Sequence, residues 1–445
     1  MISLGCSKNL VDSEVMSGEI CARGMRIVET PDDADVVIVN TCGFIQPAKE
    51  EAIDVILALA EEKKHRPFKL VVAGCLAQRY AKTLLSDLPE VDLFIGVGEV
   101  GRIADHLTRL NSLPLQSKAV ITKPEFLMTA KHRRMLSSES ATAYLKISDG
   151  CSNHCAYCAI PSIRGRARSR TPDDILKEAT MLIRRGVKEI ILIGQDTTAY
   201  GYDLKNRPTL AALLGDLSAL PGLSWLRVLY MHPAHLSVEV LDAMARHPKI
   251  CRYIDLPVQH ADDTILAAMN RHVTAARLSE LIALARKIMP DVAIRTSIIV
   301  GFPGETAKRF ERLLDFVRRA RFDHLGVFVY SREEGTQAFS VPSRISEKEK
   351  ERRRDAVMNE QAEISRSINA ALIGTVQDVI VEERCPQAGY DFIGRCRRQA
   401  PEIDGVTYIQ GKTVQIGQIV ACKIISADHY DLYAECVEPP RVGKS

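Results

Sequence analysis

Tyr144-Leu145-Lys146-Ile147-Ser148, followed closely by Cys151-Ser152-Asn153-His154-Cys155-Ala156-Tyr157-Cys158, is the stretch on which the fold turns. The first five residues read as a strand, and the cysteines then sit in the loop after it. From Ala141 to about residue 330, strand and helix patterns alternate. Strand candidates lie near residues 142–148, 188–193, 225–230, 252–258, 292–300 and 324–329, with helical segments such as 172–186 and 306–320 between them. Alternation of this kind implies a parallel sheet. Six βα units are too few to close an eight-stranded barrel, so an open barrel or a large open sheet is expected. Ligands in either form gather at the carboxyl ends of the strands, which is where the cysteine loop falls. Three cysteines at this spacing can hold three irons of a four-iron cluster by thiolate, leaving the fourth iron open to a small molecule. A structural zinc site would want a fourth Cys or His; His154 lies awkwardly between two of the ligands.

Working outward, the first hundred residues also alternate. Val36-Val37-Ile38-Val39-Asn40, Leu70-Val71-Val72-Ala73 and Val91-Asp92-Leu93-Phe94-Ile95 read as buried strands, with helices after Pro47 and over about 77–85. This predicts a doubly wound parallel sheet. The stretch 111–140, with Pro114, Pro124 and Lys131-His132-Arg133-Arg134, reads as a linker. The charged run from Ser346 to Leu372 reads as a solvated connecting helix. Beyond it, alternating runs such as Val376-Gln377-Asp378-Val379-Ile380 and Ile419-Val420-Ala421-Cys422-Lys423-Ile424 predict a small antiparallel β barrel. The expected organisation is an amino-terminal domain over 1–110, the linker over 111–140, a core over 141–370 and the barrel over 371–439. At 445 residues, the chain fits a prior of about three domains.

Composition narrows the class. Hydrophobic residues make up 46% and charged residues 26%, and the formal net charge is +3. Collagen, coiled coil and disorder are excluded, and so near-neutral a charge announces no nucleic-acid binder. No run of eighteen apolar residues predicts a membrane span, and the start carries no signal-peptide pattern. Twelve cysteines are too sparse for a disulfide scaffold. Their tight spacing suits metal ligands in a reducing compartment, so a cytoplasmic location is expected.

The cysteine signature at the head of six βα units resembles the radical S-adenosylmethionine (SAM) superfamily. The resemblance implies an open (β/α)6 partial TIM barrel whose cluster, held by Cys151, Cys155 and Cys158, chelates SAM and cleaves it to a 5′-deoxyadenosyl radical. It assigns no further catalytic side chain. Such chemistry serves C–H bonds too weakly acidic for a general base, and the sequence has no Ser-His-Asp set, P-loop or paired catalytic carboxylates. The resemblance also implies SAM contacts at Gly194-Gln195-Asp196, at Tyr157 beside the adenine, and at Gly301 within Ser297-Ile298-Ile299-Val300-Gly301-Phe302-Pro303-Gly304-Glu305. Glycines after strands are equally ordinary turn residues. His260 either lines the pocket or is an ordinary strand-end histidine.

Cys6, Cys42 and Cys75 each follow the carboxyl end of a strand in the first domain, where three loops can converge; three small buried hydrophobes is the other reading. Gly5-Cys6-Ser7-Lys8-Asn9-Leu10-Val11-Asp12-Ser13-Glu14, Asn40-Thr41-Cys42 and Ala73-Gly74-Cys75 resemble the methylthiotransferases, with the barrel matching their TRAM domain. The stretch before Cys6 is shorter than the family's first strand. The family implies a second [4Fe–4S] cluster on these three cysteines, one SAM as methyl donor and another as radical source. Cys21, Cys251, Cys385, Cys396, Cys422 and Cys436 lack ligand spacing and read as structural.

Two branches of that family act on a transfer-RNA adenosine (MiaB) or a ribosomal protein (RimO). Cys6-Ser7-Lys8-Asn9-Leu10-Val11-Asp12-Ser13-Glu14, Ile160-Pro161-Ser162-Ile163-Arg164-Gly165 and Tyr330-Ser331-Arg332-Glu333-Glu334-Gly335-Thr336 resemble the ribosomal-protein branch. Residues 371–438 hold ten acidic and six basic side chains, a net of −4. An RNA-gripping barrel would be basic, whereas an acidic one suits a basic protein; direct RNA contact is therefore not favoured. The branch implies the β carbon of an aspartate in small-subunit protein number twelve, free or in the ribosome, as target, and a flavodoxin or ferredoxin as electron donor. Arg164-Gly165-Arg166-Ala167-Arg168-Ser169-Arg170 could grip phosphate, orient a carboxylate or be solvated. A zinc-containing RNA-binding protein and a redox scaffold without transfer are the other readings.

Overall fold

The computed structural model describes residues 1–110, 118–137, 141–411 and 413–437. Parts of the expected linker (111–117, 138–140) and Lys412, Glu438 and Pro439 of the expected barrel lie outside these. The amino-terminal elements are β1 (Ile2–Ser3), α1 (Ser7–Ala22), β2 (Val36–Thr41), α2 (Gln46–Glu62), β3 (Lys69–Gly74), α3 (Cys75–Asp87), β4 (Leu93–Ile95), α4 (Ile103–Arg109) and β5 (Ala119–Val120). They form one parallel five-stranded sheet in the order β1-β2-β3-β4-β5. Its strands are continuous apolar runs because both faces are covered. Ile38, Val71 and Leu93 turn to α1 and α4, while Val37, Val39, Leu70 and Val72 turn to α2 and α3.

β5 falls inside the stretch expected to be a linker. Residues after it continue as a strap: Arg134 pairs with Glu14 of α1 and with Glu178 of the next domain. That bridging role, invisible in a weakly patterned sequence, is what orders the segment.

The core comprises β6 (Thr142–Lys146), β7 (Ser148–Asp149), α5 (Ile160–Arg164), β8 (Arg168–Ser169), α6 (Pro172–Arg184), β9 (Glu189–Ile193), α7 (Leu210–Ser218), β10 (Trp225–Val228), α8 (Val238–Arg246), β11 (Tyr253–Asp255), α9 (Asp263–Ala268), α10 (Ala275–Ile288), β12 (Ala293–Val300), α11 (Ala307–Ala320) and β13 (His324–Val329). Six parallel strands form two halves, β6-β9-β10 and β11-β12-β13, joined by a bridge between Leu226 and Ile250. The arrangement is an open, partial barrel with helices outside. One apolar cluster, from Leu145 through Leu192 and Ile254 to Phe316, fills the space between strands and helices.

The charged helix α12 (Glu347–Ala370) is not a solvated connector. It packs along α11 and β13, burying Val357 and Ile364. Gln361 Nε2 donates to the Phe322 carbonyl and Ser365 Oγ to the Asp323 carbonyl, 2.7 and 2.8 Å. Covering the last strand in this way protects an open sheet edge. Its charges occupy the other face, as in the exposed Arg352–Glu349 pair.

The carboxyl-terminal strands β14 (Val376–Arg384), β15 (Phe392–Cys396), β16 (Thr407–Gln410), β17 (Ile419–Ala427) and β18 (Leu432–Cys436) close into a barrel, β14-β15-β16-β18-β17. It is antiparallel except where β18, reversing from β17, comes alongside β16 in the same direction. The barrel sits at the amino ends of the core strands. Arg395 pairs with Glu189, the first residue of β9, and Arg398 with Asp323; Arg397 stacks on Trp225, the first residue of β10. The carboxyl ends of those strands are left to the site.

Candidate active site

Cys6, Cys42 and Cys75 follow β1, β2 and β3, adjacent strands of the first sheet, so their loops converge as expected. Two glycines permit this. Gly5 has φ +90°, and a side-chain carbon there would lie 2.7 Å from the Cys42 Cβ. Gly74 has φ +97° and would drive a methyl to 2.7 Å from the Thr41 carbonyl oxygen and 2.3 Å from Asn40 Oδ1. Asn9 ties the loops together: its Nδ2 donates to Thr41 O at 2.9 Å, and its Oδ1 lies 3.6 Å from Cys75 Sγ. Burial, with Cys75 and Cys6 nearby, pushes the Cys42 thiol up to about 12. Burial also raises Cys75, against the pull of Arg164. At Cys6 the loss of water opposes ionisation, but Lys8 and Arg164 outweigh it and lower the thiol. The three sulfurs stand close enough to act on one another's ionisation, and a cation shared by them would displace their protons.

Gly74→Ala should test the convergence. The strained φ alone costs about 1–3 kcal/mol, and the contacts above add to it, so Cys75 must shift. On the family's implication of two four-iron sites, iron measured after anaerobic loading should fall by roughly half; iron equal to the parent's would refute that implication.

Cys151, Cys155 and Cys158 lie between β7 and α5. Main-chain hydrogen bonds pin the loop: Cys151 N to Gly165 O at 3.0 Å, Cys158 N to Cys155 O at 3.0 Å, and Ala156 N to Met269 O at 2.9 Å. Burial pushes Cys151 up to about 11 and Cys158 to about 12, with Cys155 adding to both. Among the described residues, the one set of ligand-type atoms within 4.8 Å of one another is Asp196, His232 and His235. Neither cysteine set is drawn in so tightly, whereas thiolates on a single zinc would stand about 3.8 Å apart, from Zn–S bonds of about 2.3 Å. Neither donor set is therefore closed around a single tetrahedral ion.

The residues singled out for SAM do come to this loop. Gln195 Nε2 donates to Asp149 Oδ1 at 3.1 Å, and Asn153 Nδ2 to Asp196 Oδ2 at 2.7 Å. Tyr157 packs with Ile299 and Phe302, flanking Gly301. Gly194 lets Ser148 Oγ within 2.6 Å of where a Cβ would stand. Gly301 has its own packing reason: φ is +78°, and the Lys350 stem lies 2.4 Å from where a Cβ would be. Burial works against the Asp196 carboxylate, yet His235, bonded at 2.7 Å, and His232 hold it at about 2.

Two further residues enter that the sequence reading missed. Arg271 Nη1 lies 3.5 Å from Cys155 Sγ, pinned between Asn270 and His272, both at positive φ. His232 is buried, and burial together with Arg271 lowers it to about 3, so its ring is neutral. Its Nδ1 accepts from Ala234 N at 3.2 Å, which leaves Nε2 as the donor. Three buried polar atoms here lack partners: Gln195 Oε1, His232 Nε2 and Arg271 Nε. One acceptor and two donors suit the ammonium and carboxylate of an amino acid, which SAM carries. His232 was legible in principle, standing just past the carboxyl end of β10; nothing local marks Arg271.

Other expectations change. Arg164 and Arg170 are buried, Arg164 against Asp12 and Asp149 and Arg170 against Asp174 and Glu178. Neither is solvated or free to grip phosphate, because Asp12 across the domain interface and Asp149 consume the first charge, and Asp174 and Glu178 of α6 the second; Arg166 is the exposed one. His260 is an ordinary structural histidine, fully buried with Nε2 3.2 Å from Glu305 Oε1. Cys251, Cys396 and Cys422 fill cores, but Cys21 is exposed on α1.

The Radical SAM superfamily profile matches residues 145–317, the TRAM domain residues 373–437, and a family described as uncharacterized, UPF0004, residues 1–96. "Ribosomal protein uS12 methylthiotransferase RimO" of Syntrophus aciditrophicus is 51% identical, covering 99% of this chain and 98% of that one. Its counterpart in Geobacter sulfurreducens is 46% identical over 98% of each chain. Among solved structures, the radical SAM methyltransferase TsrM from Kitasatospora setae superposes with a TM-score of 0.56 at 14% identity, covering 75% of this chain and 74% of that one; at that identity the likeness concerns the fold. Near-full-length identity of this order, on a chain whose two cysteine sets and barrel stand as described, means that it belongs to the RimO family of radical SAM methylthiotransferases.

Proposed function

We propose that this protein transfers a methylthio group to the β carbon of an aspartate in ribosomal protein uS12, with Cys151, Cys155 and Cys158 holding one [4Fe–4S] cluster and Cys6, Cys42 and Cys75 a second. The observation that carries this reading is the shared wall between the two sets. Ala159 and Ile163, directly behind Cys158, pack on Cys75 in one buried cluster. When bound, a four-iron cluster with SAM supplies the radical chemistry, and an open iron on the second provides a place for sulfur.

The protein's own residues orient and enclose. Gln195 Oε1 would accept from the ammonium of SAM, and His232 Nε2 and Arg271 Nε, both without partners, would donate to its carboxylate. Tyr157 and Phe302 form the apolar side. Tyr230, held at φ 61°, reaches from the end of β10 to the first set. Its hydroxyl lies 3.2 Å from Ser7 Oγ, and Lys8 Nζ stands 3.2 Å from the ring centroid. It ties the core to the segment that carries Cys6. His232→Phe should weaken SAM binding to the loaded protein about tenfold or more, since a hydrogen bond to a charged group contributes about 1.5–3 kcal/mol; equilibrium binding measures it, and unchanged affinity would remove His232 from the site.

The barrel's charge supports a protein substrate. Arg395, Arg397 and Arg398 dock on the core, but Asp404 docks there too and Glu382 pairs with Arg395, so the free surface keeps about the acidic excess of the composition. It faces away from the clusters, and so would meet a part of the substrate remote from the aspartate. A flavodoxin or ferredoxin supplies electrons in this reading, and the setting is cytoplasmic. No helix among the described residues is long and apolar enough to cross a membrane.

The test compares cells with and without the gene by mass spectrometry of intact ribosomal proteins and of digested tRNA nucleosides. Loss of one methylthio group from uS12 with unchanged nucleosides is expected. Disappearance of a methylthio-adenosine nucleoside instead would overturn the substrate assignment.

A further inference from the structure

Four buried charges join the two halves of the site. Arg164 ends α5. Its Nη2 donates to Asn9 Oδ1 at 2.7 Å and Asp12 Oδ2 at 2.8 Å, and its Nη1 to Asp149 Oδ2 at 3.1 Å. Lys146 Nζ closes the square, 2.5 Å from Asp12 Oδ1 and 2.8 Å from Asp149 Oδ2. The Arg164 and Lys146 side chains are 3% and 0% exposed. Two cations and two anions balance, and each is paired twice, which is how ions survive burial.

Both ends of the square touch the candidate chemistry. Asp149 Oδ1 accepts from Gln195 on the SAM side. Asn9 Oδ1 is shared between Arg164 and Cys75, so the guanidinium reaches the Cys75 thiol through one side chain. The five residues of α5 rise only about 7 Å. One short segment behind Cys158 thus supplies both the apolar wall and the positive charge for Cys75. A guanidinium suits the post because its planar fork serves several acceptors at once, as an ammonium cannot.

We propose that Arg164 is a positioning residue for the methylthio transfer: it seats Cys75 and the group held there against the Cys151–Cys158 loop, and its charge favours that group's reduced state. This rests on the reading that Cys6, Cys42 and Cys75 hold a cluster. Reduction adds negative charge to a thiolate-bound group, and a buried cation beside it stabilises that charge more than water would. Net charge and hydrogen bonds to sulfur are the terms that set cluster potentials.

The experiment uses full-length protein with Cys151, Cys155 and Cys158 all changed to alanine, loaded anaerobically with iron and sulfide. The midpoint potential of the remaining cluster is followed by electron paramagnetic resonance. Arg164→Gln should move it to more negative potential, with Arg164→Lys in between. Because Arg164→Gln alone leaves carboxylates uncompensated, Arg164→Gln with Asp12→Asn is made as well, which removes one charge of each sign. That pair should shift the potential in the same direction by less. A folded double variant with the parent's potential and spectrum overturns the proposal. Cys75→Ala in the same background should lose the remaining iron; if it keeps the iron, the cluster reading itself fails, independently of Arg164.

Discussion

Cys155→Ala, purified and reconstituted without oxygen, will form no 5′-deoxyadenosine from SAM, while Cys42→Ala will still cleave SAM yet transfer no methylthio group. Each variant should lose roughly half the iron of the parent, about four of about eight. The split follows from the geometry. Cys155 lies in the loop that Arg271, Gln195 and His232 surround, and Cys42 stands at the end of β2 beside Cys6 and Cys75. Removing one of three thiolates leaves too few ligands to hold the group, but touches only the group at that end. Chromatography of 5′-deoxyadenosine, iron analysis and mass spectrometry of uS12 read the three quantities. Full iron and full transfer in Cys42→Ala would show that the first set, of which only Cys75 is buried, holds no cluster.

The second large effect concerns stability. Glu189 has a fully buried side chain, with Arg227 Nε at 2.8 Å and Arg395 Nη2 at 2.6 Å. It joins the core to the barrel, since Arg395 belongs to β15. Glu189→Ala strands the buried Arg227 guanidinium and leaves Arg395 with Glu382 as its carboxylate partner, and breaking such a set costs about 3–5 kcal/mol. The barrel should loosen first, so limited proteolysis near β15 and a lower urea midpoint should report it. Retention of the parent's midpoint would mean that the arginines find other partners. The same site predicts an acid limit. Burial opposes the charge on Glu189, but Arg395 and Arg227 hold its carboxyl at about 2. A carboxyl lowered on folding stabilises fully above its unfolded value near 4.3 and loses that stabilisation as pH falls from there through about 2. Stability contributed by this set should therefore hold from neutral pH to about 5 and decline below.

Arg164 illustrates why charge patterns are poorly legible in sequence. Arg164, Arg166, Arg168 and Arg170 stand at alternate positions and look alike. Only tertiary contacts bury the first and last and leave Arg166 in solvent. The charged helix α12 follows the same logic. Its composition suggested water on every side, whereas one stripe of Val357, Gln361 and Ile364 lies on β13. Mixed charge conceals a narrow apolar face when the polar members of that face are satisfied by backbone groups.

What the sequence determined by itself was local: where strands end, and which cysteines stand just past them. Period and spacing are properties of neighbouring residues, so the six βα units, the cysteine loop and the barrel could be read without coordinates. What only the tertiary structure decided was how distant segments meet. Arg271 reaches Cys155 across more than a hundred residues, and Arg164 meets Asp12 from another domain. The barrel turns its arginines inward against Glu189 and Asp323. Such pairings are selected by burial, where a charge must find its opposite or be expelled, and burial belongs to the folded chain and not to any stretch of it.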